Sequence, residues 1–303
     1  MDFVIEKENK GKRLDLFLSE NLNKSRSALQ KLIKSGKIKV NNDVTLSHYK
    51  LKDNDIVSIE LGDKIVKKAP ELIKKIEIVA ETDDYLVINK PSGLIVHPID
   101  DPSLYTLIDW LLEHYPQVSR VGDDLIRPGI VHRLDKEASG LMVIAKNQTA
   151  FDDLKGQFKA RTVIKHYQAL VYGQLSKDSD VIEFPINRSK SGKMTAKPAK
   201  EIGKIAITEF TVIKKFINYT LLEVKIKTGR THQIRVHLLA YNHPVVGDNL
   251  YSTKVSREKN KKLGLNRIFL ISSKLAFSDL SGKLQTFEIN LPQELKQVLK
   301  QIK

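Results

Sequence analysis

The stretch GIVHRLDKEASGLMVIAKN, residues 129–147, sets Asp135 close to Arg133 and beside Lys136. Its approach through Ile130 and Val131 is apolar, and so is its exit from Leu141 to Ala145. An apolar run of about five residues bounded by turn signals reads as a buried strand, so the loop ahead of it is anchored at its downstream end. A loop that only disperses charge into solvent needs no such frame. Asp135 is therefore held in place, which makes it a candidate for chemistry as well as for an ordinary turn, where Asp is common.

Working downstream, Thr149 followed by Asp152 signals the start of a helix carrying Phe151, Leu154 and Phe158. KHYQALVYG, residues 165–173, reads as a strand with Tyr167, Ala169 and Val171 on one face. KIAITEFTVIKK and YTLLEVKIK alternate about Phe216-Ile217-Asn218, predicting a hairpin that runs into Thr228-Gly229-Arg230. THQIRVHLLAY predicts a helix that buries Ile234, Leu238 and Tyr241, and LPQELKQVLKQI a terminal helix with Pro292 at its first turn. Upstream, IEIVAE and YLVINK predict strands, the second ending in the turn Lys90-Pro91-Ser92-Gly93. Leu104, Leu107, Ile108, Leu111 and Leu112 predict a helix ended by Pro116. Strands outnumber helices, and the class is α+β.

Residues 12–60 read as a separate unit. Leu14, Phe17 and Leu18 fall on one helix face; Ser25 stands at an N-cap position; Ala28, Leu29, Leu32 and Ile33 form a second face stopped by Gly36. KIKVNNDVT then predicts a hairpin turning at Asn41-Asn42. The outer face of the second helix carries Lys24, Arg26, Lys31 and Lys34. The charged, aperiodic segment that follows reads as a linker, dividing the chain into residues 1–62, a linker at 63–75 and a large domain at 76–303.

At 303 residues with 41% apolar content the chain is long enough for one large and one small domain. Its apolar runs fall far short of the roughly 20 residues of a membrane span, and MDFVIEKENKGKR lacks a signal-peptide core. The absence of cysteine excludes disulfides, thiolate nucleophiles and sulfur-bound metals, and the expected location is cytoplasmic. A net charge of +15 and a pI near 9.6 point to a polyanionic partner. His132 with Asp135, and His232 with His237, lack the spacing and third ligand of a metal site, so no metal is expected. Neither a phosphate-binding glycine loop nor a G-x-S-x-G elbow occurs, so no nucleotide cofactor is expected and a serine hydrolase is disfavoured.

What remains is Asp135, Tyr167 and Arg230, each within or at the end of a strand signal. A carboxylate kept ionised by a cation can attack a sugar carbon, and Arg230 is a candidate for that cation. No second carboxylate of comparable quality is evident, which leaves ordinary glycoside hydrolysis without its acid.

HRLDKEASGL at 132–141 resembles the H-R-L-D-x-x-T-S-G-L signature of the RluA-type pseudouridine synthases. INKPSGLIVHP at 88–98, KHYQALVYG at 165–173, and TGRTHQIRVHL with HPVVGDNLY across 228–251 continue the resemblance in family order. RLDLFL at 13–18, SRS at 25–27 and GKIKVN at 36–41 resemble an S4 RNA-binding domain. The resemblance implies a mixed, mostly antiparallel sheet with flanking helices, preceded by a small α/β S4-like domain. It also implies an isomerase that needs no cofactor, acts on structured RNA such as large-subunit rRNA, and is a monomer.

By motif, Asp135 matches the group that detaches uracil from ribose C1′ so that it rejoins through C5. Tyr167 matches the tyrosine that packs on the base and is implicated in removing the C5 proton, and Arg230 the arginine paired with the aspartate. Arg133 matches a residue that fills the space left by the flipped nucleotide, since the reacting atoms are hidden in a stack. RNA contacts are further expected of His132, Lys90, Arg26, Lys31, Lys34, His232 and Arg235. Ala138 stands where the family has Thr, and Ser272-Ser273 where it often has a Leu-His-Ala pattern. Three other readings stay open: a non-catalytic RNA-binding or ribosome-assembly protein, a synthase acting on tRNA, and a hydrolase that removes bases.

Overall fold

The computed structural model describes residues 2–22, 26–59, 69–97, 104–124, 126–189, 191–196 and 203–302, with the backbone alone for residues 27, 28 and 31. The chain divides into two compact units: residues 1–70, 97–130 and 146–148, and residues 71–96, 131–145 and 149–303.

The first unit contains β1 (Asp2–Val4), α1 (Leu14–Leu22), α2 (Arg26–Lys34), β2 (Ile38–Val40), β3 (Asp43–Val44) and β4 (Ile56–Ile59), with its sheet in the order β1-β4-β2-β3. Leu14, Phe17 and Leu18 of α1 meet Leu29, Leu32 and Ile33 of α2 in one core, as their spacing predicts. Asn41 and Asn42 take φ of 53° and 68°, the left-handed pair that lets a two-residue turn follow the twist of the β2–β3 hairpin.

Asp15 is fully buried and ties the two helices together, accepting hydrogen bonds from Arg13, Arg26 and Gln30. Burial opposes its ionisation, but these donors outweigh burial and lower its pKa to about 2. Arg26 thus has a structural partner, whereas Lys34 is exposed. Lys24, Ser25 and the side chain of Lys31 lie outside the described residues.

This unit extends beyond residue 62. It includes α3 (Leu107–His114), opened by a reciprocal Thr106–Asp109 cap, and Ile126 packs against the α1–α2 core. Leu104, expected inside α3, precedes it and is exposed. Of the expected linker, residues 63–68 lie outside the described residues, while Glu71–Lys75 form a short 3-10 turn.

The second unit is built on a sheet of β5 (Glu77–Glu81), β6 (Tyr85–Lys90), β7 (Ser139–Ala145), β8 (Ile164–Tyr172), β9 (Ser179–Ile182), β12 (Thr208–Lys215), β13 (Tyr219–Ile226), β14 (Leu270–Ser278) and β15 (Leu284–Glu288). A separate ribbon pairs β10 (Ile186–Arg188) with β11 (Met194–Ala196). The main order is β5-β6-β7-β14-β8-β13-β12-β9, with β15 on β14. Among the described residues, only β7 and β14 pair in parallel.

Every residue of β7 is buried, which is why its sequence is continuously apolar rather than alternating. Gly140 sits at φ 114°, and a Cβ there would run into the Ser272 backbone, so the β7–β14 junction requires glycine. The sheet carries α4 (Gln148–Ala160), α5 (Gln233–Ala240), α6 (Lys254–Leu263) and α7 (Gln293–Gln301). Helix α4 opens at Gln148, so Thr149 is inside its first turn rather than at its cap. Among the described residues, no helix is long and apolar enough to cross a membrane.

Candidate active site

The loop that presents Asp135 is fastened from two sides. Leu134 and Ala138 are buried beneath it, and the turn after β6 holds its carbonyls. Gly93 N donates to Lys136 O at 2.7 Å, Ser92 Oγ to Glu137 O at 2.5 Å, and Lys90 Nζ to Lys136 O at 3.3 Å. Lys90 Nζ also donates to Pro91 O at 3.0 Å and Leu94 O at 2.9 Å, so each ammonium proton has an acceptor. Burial pulls Lys90 down to about 7, opposed by the negative charge of Asp135.

The expected RNA contact of Lys90 does not fit this geometry, because its side chain has no exposed surface. Its work is to clamp one loop to another. Lys90→Met is expected to lower the single-turnover rate on RNA about 10²-fold, the scale of effect that a displaced reacting group produces. An unchanged rate would show that the Asp135 loop keeps its place without the clamp.

The carboxyl of Asp135 is 17% exposed, and its cation is Arg235, whose Nη1 lies 3.4 Å from Asp135 Oδ2. The same nitrogen is 3.1 Å from Glu137 Oε2. The other edge of the guanidinium grips the fully buried Asp248, with Nε to Oδ2 at 2.6 Å and Nη2 to Oδ1 at 3.1 Å. Asp248 Oδ1 also accepts the backbone N–H groups of Leu250 and Tyr251. One buried arginine therefore faces three carboxylates, held rigidly by Asp248 while it reaches Asp135. Burial opposes its charge, but the hydrogen bonds and charge of Asp248 prevail and keep it protonated.

Arg230 takes a different position from the one its motif implies. It lines the same small cleft as Asp135 and Tyr167, yet its Nε donates to Ile205 O at 3.1 Å. Arg235, expected on the RNA, is only 2% exposed and occupies the place at the aspartate. The two arginines sit in one motif five residues apart, and sequence spacing alone could not say which of them α5 turns inward.

The segment before α5 is fixed by Gln233. Its Oε1 accepts from Thr228 Oγ1 at 2.7 Å and Arg230 N at 3.0 Å, and its Nε2 donates to Ile207 O at 2.9 Å. This shapes the turn in which His232 adopts φ 55°, a conformation that is costly for a residue with a Cβ. Its Nδ1 is 2.9 Å from Tyr251 Oη, and its Nε2 is 3.9 Å from Asp135 Oδ1. Burial lowers the pKa of His232 below the usual histidine range.

Tyr167 projects from β8 into the cleft and is 6% exposed. It lies opposite Ser272 on the neighbouring strand β14. Burial and the charge of Asp135 both raise its pKa, so it rests as a neutral phenol. Ser272 thus stands across from Tyr167 on the adjacent strand, while nothing in the structure explains Ala138. His132 also faces inward. Its Nε2 accepts from Val143 N at 3.0 Å, its ring stacks on Phe158, and burial lowers its pKa to about 3. Arg133 is exposed beside the cleft it lines. Asp248, Tyr251 and Gln233 were not singled out from sequence; the motif blocks containing them were the available signal.

Known proteins account for this pairing of a small basic unit with a large sheet. The S4 domain model matches residues 12–57, and the RNA pseudouridylate synthase model matches residues 84–240, which take in the Asp135 loop, Tyr167 and α5. These matches define an RNA-modifying enzyme with an S4 domain. The chain belongs to the RNA pseudouridylate synthase family and is an isomerase. It is 41% identical over 306 residues to an uncharacterized RNA pseudouridine synthase of Aquifex aeolicus (strain VF5), covering 98% of this chain and 95% of that one. It is 36% identical over 266 residues to the ribosomal large subunit pseudouridine synthase D of Blochmanniella floridana, covering 86% and 82%. The solved structure of human RNA pseudouridylate synthase domain containing 4 superimposes with a TM-score of 0.60 at 26% identity, over 77% of this chain and 95% of that one.

Proposed function

We propose that the protein isomerises specific uridines of large-subunit rRNA, with Asp135 acting at ribose C1′. The observation that carries the catalytic assignment is the position of Asp135. It is a partly exposed carboxylate in a cleft shared with Tyr167 and Arg230, backed by a buried cation, on a loop held by the turn after β6. In the reaction the N1–C1′ bond breaks, the uracil turns, and C5 bonds to C1′. The C5 proton departs and N1 gains one, so no atom is added and no water is consumed.

Tyr167 packs against the extruded base. The upward direction of its pKa favours that packing role over a role as phenolate base. Arg133 and the exposed Lys34 contact RNA, and Arg230 is available to a phosphate or to the base once it leaves Ile205 O. The choice of large-subunit rRNA rests on relatives named for that substrate.

Base hydrolysis is the rival chemistry, since Glu137 and Asp248 place two further carboxylates nearby. Both are engaged by Arg235 rather than free to activate water. The test is incubation of the purified protein with a large-subunit rRNA transcript carrying tritium at uridine C5. Tritium release with C5-linked nucleoside as product is expected without any added cofactor; free uracil as the product would overturn the isomerase mechanism at this site.

A further inference from the structure

Helix α6 begins three residues after Tyr251, the side chain that bonds His232 beside Asp135. Its sequence KVSREKNKKL contains five basic residues and one acid. A helix of 10 residues with so little apolar surface is not stable alone, yet this one is firmly attached. Thr253 and Ser256 form a reciprocal cap.

The buried Asn260 is the anchor. It accepts from Tyr172 Oη at 2.6 Å and Gly247 N at 2.8 Å, and its Nδ2 donates to Asp248 O at 3.1 Å. Asp248 is the residue that holds Arg235, so the helix and the candidate catalytic aspartate share one rigid support.

Anchoring through Ser256 and Asn260 turns all the charged residues of α6 outward. Lys261 pairs with Glu258, and Lys259 lies over the ring of Tyr172. Among the described residues, no carboxylate pairs with Lys254, Arg257 or Lys262. Arg257 and Lys261 stand at i, i+4 and Lys254 and Arg257 at i, i+3, so like charges face each other along the helix, a spacing that destabilises it. A merely solvated helix gains nothing from that repulsion. A polyanion laid along the face relieves it and releases its own counterions.

We propose that the outer face of α6 is a docking surface for the RNA sugar-phosphate backbone, registering the strand that enters the cleft. Phosphates are the matching chemistry because five of the exposed side chains of α6 are cations and Val255 is its one exposed apolar side chain; such a face orients RNA without reading sequence. The inference rests on the reading of the protein as an rRNA-modifying enzyme and adds a contact surface beyond the S4 domain.

The test uses full-length protein and a protein-free large-subunit rRNA transcript. One variant carries Lys254→Gln, Arg257→Gln and Lys262→Gln. A control removes the same charge elsewhere through Lys283→Gln, Lys296→Gln and Lys300→Gln, all exposed positions. Thermal unfolding verifies that both fold. The α6 triple is expected to weaken binding at least about 10-fold at moderate salt and to reduce the log Kd against log salt slope by about 2, the loss of two to three phosphate contacts. The control is expected to change neither by half as much. Equal losses in the two triples, or no loss in the α6 triple, overturns the proposal. Tritium release by the wild type reports separately on the isomerase reading, because the α6 comparison is read from binding alone.

Discussion

Asp135→Asn is expected to reduce uridine isomerisation by at least about 10⁴-fold, the scale seen when a central catalytic group is removed, while RNA affinity stays within about 3-fold. The amide has nearly the shape of the carboxylate, so the loop fastened by Lys90, Ser92 and Gly93 keeps its position. What disappears is the negative charge, and with it both a nucleophile and an electrostatic partner for a developing positive charge at C1′. Single-turnover conversion of a large-subunit rRNA transcript, alongside an equilibrium binding titration, separates the two effects. Isomerisation at the wild-type rate would remove Asp135 from the mechanism; a parallel loss of binding would instead make it a recognition residue.

The second large effect is expected at Arg235. Arg235→Met deletes the partner of a fully buried carboxylate, Asp248, and leaves that charge uncompensated, which costs about 3–5 kcal/mol of stability. Because the same guanidinium touches Asp135 and Glu137, three carboxylates then face one another without it. Activity should therefore fall further than unfolding alone explains, even at temperatures where the variant is fully folded. Arg235→Lys is expected to rescue only part of either loss, since an ammonium cannot hold Asp248 through two parallel bonds and still reach Asp135. Urea denaturation and rates measured well below the midpoint check both parts. A variant as stable as the wild type would show that Asp248 finds another partner.

Much of the architecture was legible because hydrophobic period reports directly on burial. The continuous run of β7, the alternation of the β12–β13 hairpin and the paired faces of α1 and α2 all lie where their sequences place them. Boundaries were less legible. Leu104 falls outside α3, and α4 opens at Gln148 rather than after Thr149, because a cap is settled by local geometry that several neighbouring residues can supply. The association of residues 97–130 with the N-terminal unit left no local pattern at all, since it depends on contacts between segments distant in sequence.

Within the site, residue types and motif spacing were enough to nominate Asp135, Tyr167 and Arg230, and the structure brings all three to one cleft. They were not enough to sort the surrounding basic side chains. Lys90, His132 and Arg235 read as RNA-facing because basic side chains are usually exposed. Each is instead turned inward, satisfied by three carbonyls, by the N–H of Val143 and by Asp248 respectively. The buried cations Lys90 and Arg235 need acceptors converging on them, and among these Lys136 O and the Asp135 carboxylate come from a loop distant in the chain. Sequence by itself determined the family, the sheet-forming segments and the aspartate that is the candidate for chemistry, because these are written in local period and motif. Only the tertiary structure decided which arginine stands at that aspartate, since the choice depends on where Asp248 and the turn before α5 come together in space.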